Sequence, residues 1–243
     1  MRRSPPRRSA MRARTWLAAA AALWLAGPAR SSPPGQGEAQ PPDSACADAV
    51  ARRVQQHYDG IRDLRAHFVQ TSERVALGSS GAASLQSRGE VVFAKPGRMR
   101  WSYQAPAPSL VVSDGQTLWV YDPQAHEVQQ LPLGPGYLSG AAIQFLLGEG
   151  KLLDEFEVAA HGCGGREVQL VLVPRRDAEY ERLELRADPK TGAVRETAVV
   201  DLLGNRTTIA FSDLRANSNP DPALFHFVPP AGTRVLSVPA ARQ

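Results

Sequence analysis

Residues 89–122 read GEVVFAKPGRMRWSYQAPAPSLVVSDGQTLWVYD, and this stretch decides the fold class. Apolar and polar residues alternate along most of it, which is typical of strands that turn one face to a core. Pro96-Gly97 and Asp114-Gly115 are turn signals that divide the stretch. The sequence therefore predicts strands at residues 83–95, 98–104, 109–113 and 117–122.

The strand pattern continues on both sides of this stretch. One helix is predicted at 45–61, where apolar residues recur every three or four positions, and a second at 137–147. About eleven short strands with a leading and an inserted helix indicate a mainly β fold, with one antiparallel sheet curled into a barrel or partial barrel. The remaining strands are predicted at 64–75, 126–131, 153–159, 166–173, 179–187, 193–201 and 205–212.

The first 29 residues are typical of a Sec-type signal peptide. They contain six arginines, no acidic residue and the apolar run WLAAAAALWLA at 16–26. This run is too short to span a membrane, and the small residues Gly27 and Ala29 predict cleavage after Ala29. Residues 30–43 are rich in Pro, Gly and Ser and are expected to be a disordered tether. Residues 44–243 are expected to form a single domain.

Composition and motifs argue against two function classes, nucleic-acid binding and catalysis. The formal charge of +4 comes from the six arginines of the signal segment, so the remainder is mildly acidic and gives nucleic-acid binding no electrostatic support. The five histidines are scattered without metal-ligand spacing, and no nucleophile motif is present. We therefore expect no catalytic residues, metal or cofactor; an exported hydrolase remains an alternative without a motif.

Aromatic residues gather on strand faces in the quoted stretch. Met99, Trp101 and Tyr103 share one side of their strand, and Trp119 and Tyr121 share one side of theirs. Two interpretations stay open from the pattern alone. The aromatic faces belong either to an ordinary core or to the wall of an apolar cavity for a ligand.

The exported chain contains two cysteines, Cys46 and Cys163. In an oxidising compartment unpaired thiols are uncommon, so a disulfide between them is predicted. The bond would join the first helix to a turn between two late strands. Two free thiols and pairing between molecules are the alternatives.

The quoted stretch resembles the LolA family, the periplasmic carriers of outer-membrane lipoproteins. The shared pattern is a glycine and a strand, Lys/Arg-Pro at Lys95-Pro96, an apolar-Arg-Trp-x-Tyr motif at 99–103, and Ser-Asp-Gly-x-x-Leu-Trp-x-Tyr at 113–121. The resemblance covers about residues 46–236. Further matching segments lie at 68–70, 145–148, 201–205, 217 and 225–232.

The resemblance implies an unclosed antiparallel β-barrel whose apolar concave face is covered by a helical lid. It implies a monomer in the periplasm of a Gram-negative bacterium. Acylated lipoproteins would be received from an inner-membrane lipoprotein-releasing ABC transporter and delivered to a LolB-type outer-membrane receptor. The acyl-chain cavity would be lined by Phe93, Met99, Trp101, Tyr103, Trp119, Tyr121 and Phe145.

Two points of the resemblance leave alternatives. Many relatives carry arginine where this chain has Lys95, and that arginine binds backbone carbonyls of the lid. Lys95 would either latch the lid, more loosely than a planar guanidinium, or be an exposed turn residue. A lipoprotein sensor of the RseB type uses the same half-barrel, but such proteins usually add a second domain.

Overall fold

The computed structural model describes residues 44–75, 84–132 and 150–237, which all lie in one compact unit. The signal peptide, the tether and the helix predicted at 137–147, with Phe145, lie outside these residues. The helices are α1 (Ser44–Asp59), α2 (Leu152–Glu155) and a 3-10 helix (Pro222–Phe225). The strands are β1 (Asp63–Glu73), β2 (Ser84–Ala94), β3 (Arg98–Ala105), β4 (Ser109–Asp114), β5 (Thr117–Asp122), β6 (Glu127–Pro132), β7 (Phe156–His161), β8 (Val168–Pro174), β9 (Tyr180–Ala187), β10 (Val194–Asp201), β11 (Arg206–Ala216) and β12 (Arg234–Ser237).

These strands form one sheet in the order β12-β6-β5-β4-β3-β2-β1-β11-β10-β9-β8-β7. Neighbours are antiparallel except β12 and β6, which run parallel. The edge strands β7 and β12 do not pair with each other in the described part of the chain, so the barrel is unclosed. The predicted mainly β, unclosed fold is therefore confirmed. None of the described helices combines the length and apolar character that crossing a membrane requires.

The structure differs from the predicted elements in two places. Residues 153–155, expected to begin a strand, belong to the short helix α2, and the strand starts at Phe156. The C-terminal segment, expected to be irregular, contains the 3-10 helix and β12. All four residues of β12 are exposed, so this strand lacks the alternation that reveals a strand with one buried face.

Helix α1 lies across one face of the sheet, which we call the inner face. Its buried side chains, including Val54 and Tyr58, join one core with leucines of β8 and β9 such as Leu170 and Leu185. Gly192 allows the close approach, since its φ is 77° and a Cβ there would lie 2.3 Å from the Arg53 carbonyl oxygen.

The opposite, outer face carries a second, smaller core. Phe225 of the 3-10 helix packs with Val92 and Ala94 of β2. Arg100 donates a hydrogen bond from Nη1 to the Leu224 carbonyl oxygen at 3.1 Å, which fastens the 3-10 helix to β3. The C-terminal segment therefore crosses the outer face before β12 pairs with β6 at the sheet edge.

Candidate functional site

The inner face of β2 and β3 carries an aromatic wall. Phe93 pairs with Met99, and Val91 with Trp101, so these four side chains share the face that α1 covers elsewhere. Phe93, Met99 and Trp101 are 2%, 3% and 4% exposed. The Phe93 and Trp101 rings meet edge to face, with centroids 5.5 Å apart. The structure thus brings these three predicted site residues together.

Phe68 of β1 completes the wall, although sequence reasoning did not select it as a site residue. Its ring centroid lies 4.8 Å from that of Trp101 and 5.1 Å from that of Tyr103. A Cβ on Gly89, the residue paired with Phe68, would approach the Phe68 ring to 3.0 Å and the Ser102 carbonyl oxygen to 2.0 Å, so glycine leaves the needed space. The alternation of Leu64, Ala66 and Phe68 with polar residues was the sequence signal that could have identified Phe68 as a residue facing the core.

Beyond these buried groups, the inner face continues as partly exposed apolar surface. Its side chains are apolar and pack against the core while remaining partly open to solvent. A ligand could reach this surface before displacing any fully buried group. Its members include Val111 of β4, Leu118 of β5, and Ile209 and Phe211 of β11.

Trp119 and Tyr121, which the sequence assigned to the cavity, lie on the opposite face of the sheet from this wall. Val112 pairs with Arg100 on one side and with Trp119 on the other, so all three point to the outer face. There the Phe227 ring lies 6.3 Å from Trp119 and 5.6 Å from Tyr121, measured between centroids. Both aromatic residues therefore support the C-terminal segment.

A row of uncharged polar side chains crosses the inner face at one end of the wall. The Tyr103 hydroxyl donates a hydrogen bond to Gln70 Oε1 at 3.0 Å, and Gln70 Nε2 lies 3.4 Å from Ser72 Oγ. Ser72 Oγ in turn lies 3.5 Å from Thr207 Oγ1. Partial burial raises the pKa of the Tyr103 hydroxyl above its ordinary value. We call these four residues the polar row.

Lys95 lies in the turn between β2 and β3, next to the C-terminal end of α1. Its Nζ donates a hydrogen bond to the Tyr58 carbonyl oxygen at 2.6 Å. Burial lowers the pKa of the Lys95 ammonium, and the carboxylate of Asp59 opposes this shift. The residue thus contacts α1, the helix that covers part of the inner face.

Cys46 and Cys163 are bonded in the structure, with a Cα–Cα distance of 6.3 Å and a sequence separation of 117 residues. The bond ties the first turn of α1 to the turn between β7 and β8. The helix is therefore attached to the sheet near both of its ends, by this disulfide and by Lys95.

The described residues contain no other chemical site that is as well defined as the aromatic wall. They contain no group of three or more His, Cys, Asp or Glu side chains that could hold a metal ion. A surface cleft at the β7–β8 and β9–β10 turns is lined by charged residues, two glycines and a proline, without an aromatic side chain, so it does not suit an apolar ligand. Among its lining residues are Arg166, Glu167, Asp188, Lys190 and Arg195.

Comparison with known proteins identifies relatives over most of the chain. The family model "Outer membrane lipoprotein carrier protein LolA" matches residues 59–228. An outer-membrane lipoprotein carrier protein of Azotobacter vinelandii is 32% identical over 76% of this chain and 86% of its own. One from Methylococcus capsulatus is 33% identical over the same shares of the two chains, 76% and 86%.

Among solved structures, a LolA superfamily protein from Nitrosomonas europaea is similar, with a TM-score of 0.42 and 12% identity. The match covers 74% of this chain and 97% of that one. The span that the family model matches contains the residues of the aromatic wall. The chain belongs to the LolA family of outer membrane lipoprotein carrier proteins.

Proposed function

We propose that this protein is a periplasmic carrier that binds the acyl chains of lipoproteins against its inner face. It receives lipoproteins at the inner membrane from a lipoprotein-releasing ABC transporter and delivers them to a LolB-type receptor at the outer membrane. It acts as a monomer and performs no catalysis. The export signal of residues 1–29 directs it to the periplasm.

One observation carries this proposal: the aromatic wall lies on the covered face of a sheet that matches the carrier family over residues 59–228. The buried Trp101 pairs directly with the partly exposed Val111, so apolar surface continues from solvent into the core. Acyl chains entering along this surface would exchange water for apolar contacts.

The partial exposure of the apolar surface beside the wall fits reversible binding. Burial of acyl chain contributes about 0.8 kcal/mol per CH₂, so complete enclosure of two or three long chains would make release very slow. A site that must first displace its own packed groups binds less tightly, because part of the gain offsets the lost packing. Delivery then needs only a receptor with a better-fitting cavity.

The test is the identity of molecules that co-purify with the protein. We would produce the full chain with its own signal in a Gram-negative host, purify it from the periplasm and analyse it by mass spectrometry. Acylated lipoprotein should accompany the wild type. Its absence would contradict the proposal, and turnover of an added ester would indicate a hydrolase.

A matched pair of variants locates the site in the same experiment. Leu118→Glu places a charge on the inner face, where Leu118 is half-buried, and should abolish co-purification because a carboxylate in the wall opposes burial of acyl chain. Gln130→Glu adds the same charge on the outer face, opposite Trp119, and should leave co-purification unchanged.

A further inference from the structure

The polar row marks a change along the inner face from apolar side chains to a mixture of polar and apolar ones. Towards the Lys95 turn, the inner side chains of β1 and β3 are apolar, from Phe68 back to Leu64 and from Trp101 back to Met99. Towards the opposite end four polar side chains on neighbouring strands interrupt this apolar surface, with Ile209 of β11 and Leu85 of β2 beside them. Gln70 and Ser72 lie on β1, Tyr103 on β3 and Thr207 on β11.

No charged side chain lies on this part of the inner face within the described residues. A carboxylate or phosphate headgroup would call for arginine or lysine. Hydroxyl and amide groups instead suit neutral carbonyl oxygens, to which they can donate hydrogen bonds. The inner-face positions concerned are 64–72 on β1, 87–93 on β2, 99–103 on β3 and 207–211 on β11, taking alternate residues.

The hydrogen bonds of the polar row are unequal. Tyr103 to Gln70, at 3.0 Å, has ordinary length, whereas the contacts from Ser72 to Gln70 and Thr207, at 3.4 and 3.5 Å, lie at the outer limit. The long contacts can be exchanged for a ligand carbonyl at little cost. Gln70 Nε2 also carries a second hydrogen besides the one directed at Ser72.

We propose that the polar row binds the ester carbonyls of a diacylglyceryl group, with the acyl chains directed along the aromatic wall towards Met99 and Phe93. The inference rests on the proposed carrier function and adds an orientation and a specificity to it. The protein then distinguishes ester-linked acyl chains from plain alkyl chains of equal length. Ester groups seated at the row also place the attached peptide at the polar end of the inner face, outside the apolar wall.

The test compares two synthetic ligands of the full-length protein. One is a peptide with an N-terminal S-(2,3-dipalmitoyloxypropyl)cysteine, and the other is its dihexadecyl ether, which has chains of the same length and no ester carbonyls. The dissociation constant of each is measured by displacement of a fluorescent dye. The ratio of the two constants cancels general effects on apolar binding.

In Gln70→Leu, the preference for the ester over the ether should fall by about five- to tenfold, as expected for the loss of one or two hydrogen bonds. Affinity for the ether should stay the same or rise. Tyr103→Phe removes only the hydroxyl and should shift the preference in the same direction. Thr71→Val is the matched control, because Thr71 lies between Gln70 and Ser72 but points to the outer face, and its ratio should equal that of the wild type.

The outcomes separate this inference from the function on which it rests. Equal preference in wild type, Gln70→Leu and Tyr103→Phe, with both ligands bound, overturns the role of the polar row and leaves the carrier function standing. Failure of the wild type to bind either ligand overturns the carrier function itself.

Discussion

Lys95 Nζ donates a hydrogen bond of 2.6 Å to the carbonyl oxygen of Tyr58, one residue before α1 ends at Asp59. The ammonium therefore lies at the negative end of the helix dipole, where a cation is favourable. Since the disulfide of Cys46 fixes the first turn, α1 is tied to the sheet at both ends. The helix is thus held in place over β7 and β8.

We expect Lys95→Met to lower the free energy of unfolding by about 1–2 kcal/mol. The substitution keeps the aliphatic stem but removes a charged hydrogen bond to a helix carbonyl. Urea denaturation measures the change, and binding of a hydrophobic dye should rise if the end of α1 loosens. Lys95→Arg keeps a donor and a charge and should recover most of the loss. Wild-type stability and dye binding in Lys95→Met would instead assign Lys95 to a solvated turn.

The disulfide should account for a larger part of stability. Closing a loop with a separation of 117 residues restricts the unfolded chain and is worth about 3–5 kcal/mol. The double variant Cys46→Ala/Cys163→Ala should unfold at correspondingly lower urea concentration, and reductant should shift only the wild type. Thiol titration of unreduced, denatured protein provides the check: two free thiols per chain would rule the bond out.

Glu184 should make stability depend on acidic pH. Hydrogen bonds from Arg206 outweigh the effect of burial and, with Arg182 and Gln169, lower the pKa of Glu184 to about 2. The folded pKa is below the ordinary value of 4.5, so the contribution is complete above about pH 5 and is lost as pH falls towards 2. Since the arginines are partly solvent-screened, we expect roughly 1–3 kcal/mol.

Comparison of wild type with Glu184→Gln isolates this contribution. The difference in free energy of unfolding should be large at pH 7 and should shrink by pH 3, because the wild-type carboxylate is then being protonated in the unfolded state. Urea unfolding at the two pH values measures it. An equal difference at both would show that the charge of Glu184 plays no part.

The two tryptophans of the sheet should respond differently to an acyl ligand. Trp101 lies in the aromatic wall, whereas Trp119 packs against Phe227 on the outer face. A diacylated peptide should therefore change the fluorescence of Trp119→Phe as it does that of the wild type. The change should be lost in Trp101→Phe, and its persistence there would place the ligand elsewhere.

Much of the fold was predictable from local pattern. Alternation along residues 89–122 identified the strands, and turn residues such as Gly97 and Gly115 separated them because both adopt positive φ. The strand β12 could not be found this way, since its exposed residues carry no alternation and its partner β6 lies about a hundred residues earlier. Its position depends on the packing of Phe225 and Phe227 on the outer face.

At the aromatic site, the sequence determines which side chains share a face within one strand, and the tertiary structure determines which faces of different strands lie on the same side of the sheet. The sequence alone determined that Met99, Trp101 and Tyr103 share one face and that Trp119 and Tyr121 share another, because side chains alternate with a period of two. Which of these faces coincide depends on the register of two successive hairpins, and a shift of one residue exchanges the faces. In the structure Val112 pairs with Arg100 on one side and with Trp119 on the other, so Trp119 shares the outer face with Arg100. Trp101, the next residue after Arg100, therefore lines the inner wall, while Trp119 supports the C-terminal segment on the opposite side.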